Sequence, residues 1–260
     1  MSSTARADYR PQLRQPRIAE MVADVLRRRI ISGELPDQAM LPKQEELIDE
    51  FNVSKPSVRE ALRILETEGL ITVLRGNTGG ALVHAPQSGN AAYMLGLVLQ
   101  AQQVPLRDLG AALKHIEPLC SALCATRPDR AEAVVPYLQQ CHERSLAVQN
   151  DDVQFTQAMR EFHEEMVARC GNQTMIQLVG ALESLWTSHE RDWARRQTSQ
   201  GSFPQRSVRS TSLKAHARMI KLIEDGKAEA AEKLARQHLE ESIFYASSDG
   251  EMSISADQLR

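Results

Sequence analysis

Between Phe51 and Val83 the chain reads FNVSKPSVREALRILETEGLITVLRGNTGGALV, and the punctuation of that stretch leaves little freedom in how it folds. Ser54 is placed as a helix N-cap, Pro56 falls in the first turn where its missing N–H costs nothing, and Gly69 supplies the C-terminal stop. Between cap and stop, Val58, Ala61, Leu62 and Leu65 recur at helical spacing and form one buried face. Two short β-rich runs follow, at 70–74 and 81–84. They are joined by RGNTGG, whose glycines allow the positive φ of a hairpin tip.

The segments around this one follow the same logic. Ile18, Met21, Val22, Val25, Leu26 and Ile30 predict a first helix that stops at Gly33 and Pro36. Leu41-Pro42 opens a second, short helix with Leu47, Ile48 and Phe51 inward, and Asn52 ends it. Helix, helix, turn, helix and hairpin make a winged helix-turn-helix over 17–85. A basic arm at 1–16 precedes it, with Arg6, Arg10 and Arg14 against a single Asp8. Such an arm either rests on phosphates or stays solvated.

PQSGN, at 86–90, is the one Pro/Gly/Ser-rich break between structured regions and is read as the interdomain linker. Beyond it no strand signal remains. Helical patterns run at 91–102, 106–126, 129–149, 151–170, 173–196, 208–225 and 227–246, punctuated by Pro105, Pro128, Asn150, Gly171-Asn172 and Gly226. The expected fold is mainly α: an all-α bundle of six or seven helices at 91–246 behind the winged helix, then a flexible tail at 247–260.

A length of 260 residues suits two domains, and a net charge of −3 means that any basic footprint must be local. No run approaches the roughly 18 apolar residues of a membrane span, and the N-terminus lacks a secretory core, so a cytoplasmic protein is expected. Cys120, Cys124, Cys141 and Cys170 show no CxxC spacing, as suits reduced, buried thiols.

A helix whose leading turn carries small hydroxyls and cations can enter the major groove of DNA, where Lys and Arg meet guanine acceptors or phosphate. Ser54, Lys55, Ser57 and Arg59 occupy that turn, with Arg63 one turn on. The string LPKQEELIDEFNVSKPSVREALRILETEGLI followed by RGNTGG resembles the DNA-binding domain of the GntR family of bacterial transcription regulators. The resemblance implies operator contacts from Ser54, Lys55, Ser57 and Arg59, and from Arg75 with Gly76 on the wing. After Leu-Pro the family usually has Ser-Glu-Arg, where this chain has Lys43-Gln44-Glu45. Glu45 cannot replace the arginine, so Lys43 substitutes for it or the contact is lost.

His163, His216 and His238 lie on three separate predicted helices. Each alone is an ordinary polar residue, whereas three imidazoles converging in a bundle core suit a transition metal. FHEEMVARCGN and HARMIKLIEDGKAEAAEKLARQHL are similar to the FCD domain, the ligand-sensing bundle of the FadR branch of GntR regulators. In metal-binding members an Asp four residues before the first histidine joins three histidines around a divalent ion such as zinc or nickel. His163, His216 and His238 take the three histidine positions, and Met159 takes that of the Asp. An arginine common in the family is Leu113 here.

Loss of that Asp and Arg favours an apolar acid or an acyl-CoA over a small polyanion as effector, contacted by Met159, Arg160, Lys114 and Asn172. Trp186 and Trp193 are assigned first to core packing. Arg191, Arg195, Arg196, Arg206 and Arg209 charge the surroundings of the loop RQTSQGSFPQR, as a solvated face or as a lid.

The rival reading is a metal-dependent hydrolase in which the three histidines and Glu164 or Glu165 activate water. H-E-E-M-V at 163–167 lacks the second histidine of H-E-x-x-H. The chain is therefore read as a homodimeric, effector-controlled regulator of double-stranded operator DNA, a repressor and not an enzyme, with no membrane partner.

Overall fold

The computed structural model describes residues 17–74, 80–86, 88–204, 206–247 and 253–256. Contacts divide the chain into Met1–Pro86 and Gln87–Arg260, each holding its own apolar core.

In the first unit α1 (Ile18–Ile31) buries Ala19, Val22, Ala23, Leu26 and Ile30, while Ile18 and Met21 face outward. The second helix, α2 (Gln44–Phe51), begins after the Leu41-Pro42 pair, not at it. The reason lies in the backbone: Leu41 N donates to Ala81 O (2.8 Å), Gln38 N to Val83 O (2.9 Å), and Met40 bridges Leu82. Those residues flank the sheet, so the helix starts once they have crossed it. Asn52 ends α2 in the left-handed conformation, φ 49°.

α3 (Lys55–Thr67) follows its sequence signals. Ser54 caps it, accepting from Ser57 N, and Val58, Ala61 and Leu65 are buried. Gly69 closes the turn at φ 71°. The wing is the antiparallel pair β1 (Ile71–Leu74) and β2 (Gly80–Val83), in register Ile71↔Val83. Its tip, with Arg75 and Gly76, lies outside the described residues.

The second unit holds α4 (Ser88–Ala101), α5 (Leu106–Thr126), α6 (Arg130–Ala133), α7 (Val135–Ala147), α8 (Asp152–Ala168), α9 (Gln173–Gln200), α10 (Arg206–Glu224) and α11 (Ala228–Ser247). Seven of these are long helices and α6 is a single turn. The segment expected to be one helix at 129–149 breaks at Val134 (φ −125°, ψ −59°) because Pro136, in the first turn of α7, has no N–H to continue the ladder. α5 runs through the middle of the unit and packs on α8, α9, α10 and α11.

Two expectations for the edges of this unit need correction. α4 begins at Ser88, inside the stretch read as linker. The tail is not free throughout: Ile254 and Ala256 are 1% and 0% exposed. Ile254 N donates to Val104 O (3.1 Å), Ser255 N to His189 Nε2 (3.3 Å) and Ala256 N to Gln100 Oε1 (2.9 Å). Two small apolar side chains in a polar tail are too short a pattern to register as structure. No helix among the described residues is long and apolar enough to cross a membrane.

Candidate metal centre and nucleic-acid interface

His163 of α8, His216 of α10 and His238 of α11 converge in the core of the helical unit. Their Nε2 atoms stand 3.2 Å (His163 to His216), 3.0 Å (His216 to His238) and 3.3 Å (His163 to His238) apart. Four ligands arranged tetrahedrally about an ion at 2.0–2.1 Å lie about 3.3 Å from one another, so the triangle matches one face of such a site. His216 stacks on Phe162 at 3.8 Å, which fixes its ring plane.

The protonation states suit ligation. Burial holds all three imidazoles below their ordinary range: His163 against the pull of Glu117, His216 well below, and His238 down to about 3. His163 Nδ1 lies 2.5 Å from Glu117 Oε1, so Nδ1 carries the proton and Nε2 keeps its lone pair for the cluster. His216 Nδ1 is buried without a partner among the described residues, so only one of the three ligands is seen to gain this outer support.

Glu117 sits in a fully buried ionic network that the sequence reading did not assemble. Arg160 Nη2 donates to Glu183 Oε1 (2.9 Å) and Glu117 Oε2 (3.4 Å). Burial works to raise Glu117, but His163 and Arg160 outweigh it and hold this carboxylate low. Glu183 goes the other way: burial, unrelieved by its share of Arg160 and worsened by Glu117, raises it well above the usual range. The two carboxylates are thus pushed in opposite directions around a single guanidinium. A sequence signal existed for both: Glu117 and Glu183 each interrupt an otherwise apolar helix face, between Leu113 and Cys120 and between Val179 and Trp186.

His163 and His238 open onto a cavity of about 90 Å³. Phe155, Trp193 and Phe203 give it aromatic walls, Thr156, Ser212 and Ser242 hydroxyls, and Met159, Arg160, Glu190 and Arg209 its remaining character. Both arginines are already engaged. Arg160 serves the network above, and Arg209 donates to Gln149 O (2.9 Å), Pro204 O (3.3 Å) and Asp152 while lying over Phe203 (4.7 Å). Burial raises Glu190.

Several expected effector contacts change accordingly. Met159 and Arg160 line the cavity, but Lys114 and Asn172 do not. Lys114 pairs with Glu240 at 3.7 Å, and Asn172 caps α9, accepting from Met175 N. Trp193 lines the cavity in addition to packing, whereas Trp186 belongs to the core. Arg209, expected on a solvated face or a lid, lines the cavity, and so does Glu190, for which no such place was expected. The general bases of the hydrolase alternative are elsewhere: Glu164 accepts from Thr187 Oγ1 (2.8 Å), and Glu165 pairs with Arg169.

In the first unit Lys43, Ser54, Lys55 and Arg59 are exposed at the N-terminal ends of α2 and α3, and Ser57 is half-buried. Ser54 Oγ and Ser57 Oγ lie 2.9 Å apart. Lys43 precedes α2, where its backbone N donates to Glu46. Arg59 forms no ion pair with a described residue, whereas Arg63 is tied to Glu60 by two bonds of 3.0 and 2.7 Å. The cations therefore sort into a leading turn available to an anion and a following one already neutralised.

Comparison with known proteins places both units. Residues 18–79 match bacterial regulatory proteins of the gntR family, and residues 108–241 match the FCD domain. The chain is 26% identical over 239 residues to an HTH-type transcriptional repressor NanR of Klebsiella aerogenes, covering 88% of this chain and 85% of that one. A second NanR, from Salmonella newport, is 37% identical over 75 residues, 29% of each chain. Among solved structures, a Streptococcus agalactiae GntR aligns with a TM-score of 0.65 at 23% identity, covering 86% of this chain and 98% of that one; it speaks to the fold.

Proposed function

The chain belongs to the FCD-domain family and is a GntR-family transcription regulator, not an enzyme, and from that premise we propose that it is a homodimeric repressor of the FadR branch. Its operator affinity is set by a transition-metal centre and a compact effector in the helical unit. The observation that carries this reading is the triangle of three Nε2 atoms, two of whose imidazoles, His163 and His238, line a cavity.

Two copies of α3 read the half-sites of a pseudo-palindrome, since a two-fold protein is mirrored by a two-fold site. Ser54, Lys55, Ser57 and Arg59 supply the base and phosphate contacts, with Lys43 on the backbone; Arg75 and Gly76 are proposed for the wing. His163, His216 and His238 hold the ion, for which zinc and nickel are the ordinary divalent occupants of imidazole sites. A bound ion would leave one position for a further donor from the cavity side, an effector oxygen or a side chain. The apolar walls then favour a small, apolar-bodied acid over a polyanion.

An effector moves the operator equilibrium only by the difference in its affinity for the two states. Selection of bound duplexes from a random pool, followed by competition with metal-stripped and zinc-reloaded protein, tests the whole reading. A two-fold symmetric consensus whose affinity changes on stripping supports it. An unsymmetric consensus, or affinity indifferent both to the metal and to every small acid tried, refutes it.

A further inference from the structure

The triangle of histidines supports a finer statement about its ion, one that rests on reading the cluster as a metal centre. We propose that the ion selected is monovalent copper, with the thioether of Met159 as fourth donor beside His163, His216 and His238.

The donor set points this way first. Among the described His, Cys, Asp and Glu side chains, these three imidazoles form the one group whose ligating atoms lie within 4.8 Å of each other. No carboxylate or thiolate joins them. Met159 lies four residues before His163 on α8, one helical turn away, and lines the same cavity as His163 and His238. Three neutral nitrogens and one neutral sulfur suit a soft ion with tetrahedral preference, whereas hard and borderline divalent ions favour an oxygen or charged donor at the fourth position.

Charge points the same way independently. All four donors are neutral, and Arg160, 6% exposed, lies next in sequence to Met159 and keeps its own positive charge nearby. The closest anion, Glu117, is committed behind His163 and to Arg160. The cost of desolvating an ion grows with the square of its charge, so a divalent ion faces about four times the penalty of a monovalent one in this interior. Glu117 offsets part of that difference through His163, but no donor in the set is itself anionic.

Copper supply would then itself be a signal to the regulator, and occupancy of the cavity by an organic acid a separate one. Metal-stripped full-length protein is titrated anaerobically with tetrakis(acetonitrile)copper(I) against bicinchoninate, and in parallel with zinc against a chromophoric chelator. One copper(I) per chain is expected, with a sulfur neighbour in the X-ray absorption spectrum. Met159→Leu conserves volume and should keep the melting midpoint, weaken copper(I) by about tenfold or more, and leave zinc within about threefold.

Zinc bound without copper(I) overturns the proposal and leaves the metal-centre reading intact. Copper(I) affinity unchanged in Met159→Leu, with no sulfur scattering, also overturns it. Retention of neither ion overturns both.

Discussion

In the winged-helix unit the side chains at the candidate DNA face, Lys43, Ser54, Lys55, Ser57 and Arg59, come from one continuous stretch and are oriented by their own caps and turns. In the helical unit Glu117, Arg160, His163, Glu183, His216 and His238 come from α5, α8, α9, α10 and α11 and acquire meaning only when those helices pack. The first site is exposed apart from the half-buried Ser57. The second is buried, and its groups shift in both directions: burial lowers the histidines and raises Glu183, whereas His163 and Arg160 outweigh burial at Glu117. A site made by local signals is tuned residue by residue; a site made by packing is tuned through the network behind it.

The sharpest way to break that contrast is to remove the centre of the network. Arg160→Ala leaves buried Glu117 without its guanidinium partner, and removing one member of a buried pair costs about 3–5 kcal/mol. Calorimetry should show the loss in the transition of the helical unit alone. Equal shifts in the transitions of both units would erase the distinction drawn here. Arg160→Met, which also strands Glu117, should not recover stability unless Glu117→Gln is added.

At the other site the expected loss is in recognition, not in stability. Arg59→Ala should cost about 1–3 kcal/mol of operator discrimination and flatten preference at one base position. Lys55→Ala should weaken binding more evenly across sequences and reduce its salt dependence. Anisotropy titrations at two salt concentrations separate these outcomes. A smaller effect is expected at the cap: Ser54→Ala removes the bond to Ser57 N and should lower stability by about 1 kcal/mol.

How far each region could be read beforehand follows from the same difference. Ser54, Pro56, Gly69 and the glycine-rich hairpin are local signals, and α3 appeared where they placed it. The three histidines could be named from resemblance, but Glu117 and Glu183 could not be assigned partners, because nothing along a single helix says which carboxylate will meet Arg160. Leu41-Pro42 misleads for a related reason: it looks like a helix start until the long-range bonds of Leu41 to Ala81 and of Met40 to Leu82 are known. The break before α7 is a different failure, since Pro136 was visible in the sequence and was passed over.

The segment Ser253–Ala256 extends the contrast to the smallest expected effect. Its anchor is a bond from Ser255 N to Nε2 of His189, a buried imidazole whose pKa is lowered by burial, with Asp192 opposing and Arg196 assisting. Above the ordinary imidazole pKa of 6.5 this histidine is neutral both folded and unfolded and contributes no pH dependence. As the pH falls below 6.5 the unfolded chain takes up a proton that the folded one resists, so stability declines, by at most about 1.4 kcal/mol per pH unit, until the lower folded value is reached. Protonation also removes the lone pair that Ser255 N uses, so residues 253–256 should exchange amide hydrogens faster at pH 5 than at pH 7 after correction for intrinsic rates. His189→Gln keeps an acceptor without titrating and should abolish that difference. If the segment loosens equally in His189→Gln, its docking depends on Ile254 and Ala256 alone, and burial has set the charge of His189 without giving it a partner that matters.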